Sequence, residues 1–149
     1  MLEPVIVDTS SLIALEKMDL LQILCKIYKE VVIPESVIRE FGNLSLPCLS
    51  TRKVESNLLK LLITDLNLGK GEADVIALAG QTGLKVVIDD SKARKVAEDM
   101  GLKLTGTIGV LIKAERLGLI RSAHDKVMEL RDKGFYVSEE LLEDISRFK

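Results

Sequence analysis

The sequence predicts an α/β protein, a three-layer α/β/α sandwich around a mostly parallel central sheet. Three observations predict it. Short β-branched runs alternate with longer segments of helical periodicity along the 149 residues. The runs Val5-Ile6-Val7, Val31-Val32-Ile33 and Val86-Val87-Ile88 are too short for helices and read as buried parallel strands. Acids recur where such a fold gathers its ligands: Asp8 and the pair Asp89-Asp90 end strand runs, at the edge where open parallel sheets bind.

Taken in order, Pro4-Val5-Ile6-Val7 is the first strand, and Ser10 or Ser11 is positioned to cap the helix through Leu12, Leu15 and Glu16. Alone, Asp8 reads equally well as a capping acid near that helix dipole. Asp19 opens a second helix, with Leu20, Leu21, Ile23, Leu24 and Ile27 apolar. The second strand stops at Pro34, which suits the first turn of a helix over residues 35–41. On that helix Glu40 lies near Val37 and Leu44, on the inward side, where it is either a site acid or a Glu that snorkels to water.

Residues 42–50 read as a loop, residues 51–59 as a polar-faced helix, and residues 61–64 are ambiguous between strand and helix end. The next helix, from Gly71, carries the most informative acid. Val75, Ile76 and Ala79 fall at i+3, i+4 and i+7 from Glu72, so Glu72 is on the apolar face and Asp74 points the other way. Gly83 ends that helix. Residues 85–88 form a strand before Asp89-Asp90, and a helix follows with Ala93, Val96, Ala97 and Met100 inward. Leu102-Lys103-Leu104-Thr105 is a further strand, and Gly106-Thr107-Ile108-Gly109 opens an apolar helix. From His124 the chain reads as a helix, an extended Phe135-Tyr136-Val137, and a last helix capped by Ser138. No repeat or composition shift divides the chain, so residues 1–149 are expected to form a single domain.

Asp8, Glu40, Glu72, Asp89 and Asp90 can converge on one sheet edge. Like charges a few ångströms apart repel by roughly 4 kcal/mol per pair at an effective dielectric near 20. Such a cluster takes up protons or binds a cation. An all-oxygen set suits Mg²⁺ or Mn²⁺ rather than zinc or copper, and metal-assisted phosphodiester hydrolysis is the chemistry such clusters serve.

Four stretches carry a family resemblance: Val5-Ile6-Val7-Asp8-Thr9-Ser10, Ile33-Pro34-Glu35-Ser36-Val37-Ile38-Arg39-Glu40, Gly71-Glu72-Ala73-Asp74-Val75-Ile76-Ala77-Leu78-Ala79 and Ile88-Asp89-Asp90-Ser91-Lys92-Ala93-Arg94. In this order, over residues 4–120, they resemble the motifs of PIN-domain proteins, α/β nucleases of prokaryotic toxin–antitoxin systems (VapC-type) and of eukaryotic RNA decay. The chain is especially similar to short prokaryotic members with Gly-Glu-Ala, an Asp-Asp pair and a Gly-Thr-x-Gly-Val-Leu stretch, here from Gly106 to Leu111. The resemblance implies Asp8, Glu40, Glu72 and Asp90 as the metal-binding acids, with Asp89 competing for the fourth place. It also implies Ser10 as a hydroxyl supporting Asp8, Mg²⁺ or Mn²⁺ as cofactor, RNA as substrate, an antitoxin partner and a homodimer. The third acid is usually Asp in the toxin branch; Glu72 here carries its carboxylate about 1.5 Å further out.

Arg39, Lys70, Lys92 and Arg94 neighbour the acids in sequence and are candidates for phosphate contact, although each reads alone as part of a solvated helix face. His124 is the one histidine and has no zinc-ligand spacing around it. With no Trp and scattered Tyr28, Tyr136, Phe41, Phe135 and Phe148, there is no stacking platform, so RNA contact falls to phosphate and shape. Net charge is −2, but removing the five site acids from 23 leaves 18 against 21 Lys and Arg. Cys25 and Cys48 show no CxxC spacing, which suits a reducing cytoplasm and argues against a disulfide scaffold. No apolar run is long enough for a membrane span, and the start lacks the basic residues of a signal peptide.

Three functions compete. The first is a metal-dependent ribonuclease, the toxin of a pair. The second is a PIN-like scaffold that binds RNA or protein without cutting. The third, a phosphatase using Asp8 as nucleophile, fits worst, because Ser10 stands where its second Asp belongs.

Overall fold

The computed structural model describes residues 2–137 and 139–146. Strand β1 (Pro4–Val7) lies at the centre of a five-stranded parallel sheet, with β2 (Glu30–Pro34) on one side and β4 (Lys85–Val87) on the other. The edges are β3 (Leu49–Arg52) beside β2 and β5 (Leu104–Thr105) beside β4, giving the order β3-β2-β1-β4-β5. The central runs are apolar because helices cover both faces: Val5, Ile6, Val7, Val31, Val32, Ile33, Val86 and Val87 are fully buried.

The helices are α1 (Thr9–Lys17), α2 (Leu24–Ile27), α3 (Glu35–Phe41), α4 (Asn57–Asp65), α5 (Lys70–Thr82), α6 (Ser91–Asp99), α7 (Thr107–Arg116), α8 (Ala123–Asp132) and α9 (Glu139–Ser146). The chain leaves β1 for β2 and β3 in one direction and returns past it to β4 and β5. Right-handed crossovers then place the α1–α3 connections on one face and the α4–α6 connections on the other. The strand order reverses at β1, so the carboxyl ends of β1 and β4 form the switch-point crevice, with Val7 paired to Val87.

Several expectations are corrected. Leu49–Arg52 is a strand, not loop and helix. It is a polar, partly exposed edge whose pairing is offered by β2, so no local apolar alternation announces it. Residues 61–64 are helical, within α4, whose start is capped by Ser56 accepting from the Leu58 N–H at 2.9 Å. The helix expected from Asp19 begins later: Asp19 has φ 57°, a 3₁₀ turn covers Leu21–Ile23, and α2 follows. Ser138, the expected cap of α9, and Phe148 lie outside the described residues.

Cys25 and Cys48 are joined in a disulfide that ties α2 to the chain entering β3. They are not free thiols, and their spacing therefore lends no support to a reducing compartment. Their 23-residue separation hides a pairing that only the adjacency of β2 and β3 brings about. No helix among the described residues is long and apolar enough to cross a membrane.

Candidate active site

Asp8 leaves the sheet directly after β1, its N–H still donating to the Val87 carbonyl at 3.0 Å. The side chain is only 3% exposed, and Ser10 Oγ donates to Asp8 Oδ2 at 3.2 Å. Burial pushes the Asp8 carboxyl above its usual range. The Thr9 N–H and the Ser10 hydroxyl pull it back, and the charges of Asp89 and Glu40 add to the rise. Ser10 is thus the hydroxyl within hydrogen-bond reach of Asp8. Neither Ser10 nor Ser11 caps α1: Asp8 holds the N-cap position, and both serines lie within the first turn.

Glu40 reaches the same place from the end of α3. A Cβ added at Gly71 would stand 3.0 Å from Glu40 Oε2 and 3.9 Å from Thr9 Oγ1, so the Glu40 carboxylate lies close against the bare backbone of the first turn of α5. Glu72 projects from that turn. Its carboxyl is pushed up first by burial, then by the charges of Asp90 and Asp8 and by a direct hydrogen bond with Asp90, against a pull from the Gly69 backbone. Asp90 also caps α6, accepting from the Ala93 N–H at 2.9 Å.

Asp8, Glu40, Glu72 and Asp90 line one open cavity of about 430 Å³, together with Thr9, Ser10, Ile13, Gly69, Lys70 and Gly71. Four separate elements therefore bring four acids to the switch-point crevice. Asp89 turns aside. It accepts from Ser11 Oγ at 3.1 Å, from the Thr107 N–H at 2.8 Å and from Thr107 Oγ1 at 2.5 Å.

Of the four cationic candidates, Lys70 lines the acid cavity. Lys92 donates to the Asn67 carbonyl at 3.1 Å, and Arg94 donates to the Ile88 carbonyl at 2.8 Å in a separate pocket beside Asp89 and Gly106. Arg39 is exposed and does not line the cavity.

Asp74 corrects the helical-wheel reading. It is 4% exposed rather than turned to solvent, and Ser36 Oγ donates to its Oδ2. Helix α5 is buried from Ala73 to Ala79 because the sheet packs on one side and α3, α4 and α6 on the others, so it has no solvent face there. Thr9 is a further buried polar residue at the cavity. It is 8% exposed, and its Oγ1 has no hydrogen-bond partner, as is true of Asp74 Oδ1. The run of three hydroxyl residues after Asp8 was the available signal for Thr9 and Ser11, and the Gly106-Thr107 step was the signal for Thr107.

The donor set is all oxygen, four carboxyls and an unpartnered hydroxyl, which fits a hard divalent cation. As they stand, no three acid, His or Cys side chains among the described residues are close enough to enclose an ion. Glu40 is exposed and Glu72 half-buried, and both are long side chains.

A family model described as a PIN domain matches residues 4–148. The chain belongs to the PIN-domain family. No curated protein and no solved structure matches it. PIN domains are generally nucleases acting on nucleic acid, usually with divalent metals. The parallel sheet with helices on both faces agrees with that fold.

Proposed function

We propose that this PIN domain is a metal-dependent ribonuclease that hydrolyses RNA phosphodiesters with Mg²⁺ or Mn²⁺ held by Asp8, Glu40, Glu72 and Asp90. The observation that carries the reading is that β1, α3, α5 and the end of β4 each deliver one carboxyl to a single cavity at the switch point. A divalent cation there supplies Lewis-acid stabilisation of phosphoryl charge and lowers the pKa of water. Asp8, held by Ser10, is the most deeply buried of the four acids and anchors the site to the end of β1. Lys70 on the cavity wall is the cation best placed to meet an RNA phosphate. Without an aromatic platform, binding is to backbone and shape and is expected to weaken as salt rises.

The similarity of the four motif stretches to VapC-type proteins supports a cytoplasmic toxin, a homodimer restrained by an antitoxin. A second reading, a PIN-like scaffold that binds RNA or protein without cutting, is favoured by the extra methylene of Glu72 and by the weakly acidic net charge of −2.

The experiment is Mn²⁺ titration by calorimetry on wild type and Asp8→Asn, followed by both proteins on labelled single-stranded RNA. Binding and cleavage should both vanish in the variant. Wild-type-level cleavage by Asp8→Asn, in a preparation free of other nucleases, sinks the proposal. Binding without cleavage supports the scaffold.

A further inference from the structure

The adjacent acids Asp89 and Asp90 follow one strand, and their carboxyls go to different places. Asp90 enters the acid cavity and caps α6 through the Ala93 N–H. Asp89 is engaged by Thr107, which opens α7, and by Ser11 of α1. Both donors are buried, Ser11 fully and Thr107 to 4% exposure, although Asp89 itself keeps contact with solvent.

The first N–H groups of a helix have no partner within it, and the N-cap residue of α7, Gly106, has no side chain to offer. Asp89 fills that place from another element. The approach is possible only because residue 106 is glycine: a Cβ there would stand 2.7 Å from Asp89 Oδ1 and 3.1 Å from Arg94 Nη1. Arg94 completes the joint by donating to the Ile88 carbonyl, one residue before Asp89. The end of β4 is thus fastened to α1, α6 and α7 at once.

We infer that Asp89 is a positioning residue rather than a metal ligand, and that the Gly106-Thr107 step is its socket. The clamp holds the turn from β4 into α6, and that turn aims Asp90 into the acid cavity. Its role for the metal rests on the ribonuclease reading above; the clamp itself does not. Outer partners of this kind typically change metal affinity by about 10–100-fold. Thr107 is the informative position, because its side chain reaches the site only through Asp89.

The test compares Asp89→Asn, Asp90→Asn, Thr107→Val and Thr107→Ser by thermal melting, Mn²⁺ calorimetry and amide exchange. Asp90→Asn should lose about 100-fold or more in Mn²⁺ affinity with its Tm kept or raised, as a ligand would. Asp89→Asn should lower Tm by about 3 °C or more and weaken Mn²⁺ by roughly tenfold. Thr107→Val should speed exchange of the Ala93 amide, which Asp90 caps, relative to Ile76 in α5. Thr107→Ser should restore it, since the hydroxyl is what matters.

Two results overturn the assignment. One is Ala93 exchange unchanged in Thr107→Val. The other is an Asp89→Asn protein that loses as much Mn²⁺ affinity as Asp90→Asn with its Tm intact. If the wild type binds no Mn²⁺, the ribonuclease reading falls, while Ala93 exchange still decides whether the clamp aims Asp90.

Discussion

Ser36 on α3 donates to Asp74 on α5, and this bond lies one helical turn from Glu40 on the same face of α3. The two helices that carry Glu40 and Glu72 are therefore joined by a polar contact. Asp74 Oδ1 has no partner, so Ser36 is the donor given to this buried carboxyl among the described residues. Ser36→Ala should destabilise the protein by about 1–3 kcal/mol, the cost of leaving such a group unsatisfied. Urea denaturation checks it, and Ser36→Thr, which keeps the hydroxyl, should lose less. Equal midpoints for wild type and Ser36→Ala would show that the bond contributes nothing.

Asp8→Asn should raise the stability of the metal-free protein while removing Mn²⁺ binding. Burial and the charges of Asp89 and Glu40 all oppose ionisation of Asp8, and an amide escapes those costs while still accepting from Ser10. Melting in EDTA measures the gain. A variant less stable than wild type would mean that the ionised Asp8 is held by more than Ser10 and the Thr9 N–H.

The pH dependence follows from the direction of two shifts. Asp8 and Glu72 are both raised in the folded state, so folding takes up protons. Their stabilising contribution is complete below the ordinary carboxyl range and is lost as pH rises through the raised folded values. In EDTA, the Tm of wild type should therefore fall relative to Asp8→Asn as pH rises from the ordinary carboxyl range towards neutrality. Cation binding needs the ionised acids, so Mn²⁺ affinity should run the opposite way and binding should release protons. Calorimetry in buffers of different ionisation enthalpy reads that release; none at weakly acidic pH would contradict it.

Gly71→Ala separates stability from function. Alanine gains about 0.5–1 kcal/mol of helix propensity over glycine. Its Cβ would press on Glu40 Oε2 at 3.0 Å, and that carboxylate is the far end of a flexible side chain, able to swing away. The variant should be as stable as wild type, with weaker Mn²⁺ binding and slower RNA cleavage. Unchanged Mn²⁺ affinity would mean that Glu40 does not act from where it lies.

Reduction of Cys25–Cys48, or Cys25→Ser, should cost about 3 kcal/mol by the loop-closure relation for a loop of this length. A denaturation midpoint unmoved by dithiothreitol would count against it.

Much of the site was legible in the sequence because its signals are local. Asp8 and Asp90 follow apolar runs whose length marks them as buried strands, and Glu72 stands on the wheel among Val75, Ile76 and Ala79. Those are statements about neighbours within one turn or one strand. The burial of Asp74 escapes the wheel for a related reason. A wheel assigns one wet side to every helix, and α5 is covered on all sides over residues 73–79.

The sequence by itself determined the parallel α/β architecture, because period and β-branching act at short range, and its four motif stretches carried the resemblance to the family. Only the tertiary structure decided that β3 is an edge strand, that Cys25 meets Cys48, and that Asp89 goes to Thr107 while Asp90 goes to the acid cavity. Each of those outcomes depends on a partner far along the chain: β2 supplies the edge, and α7 supplies the unpaired N–H that draws Asp89 away. Adjacent carboxylates are chemically identical, and what distinguishes them is which donors the fold places within about 3 Å.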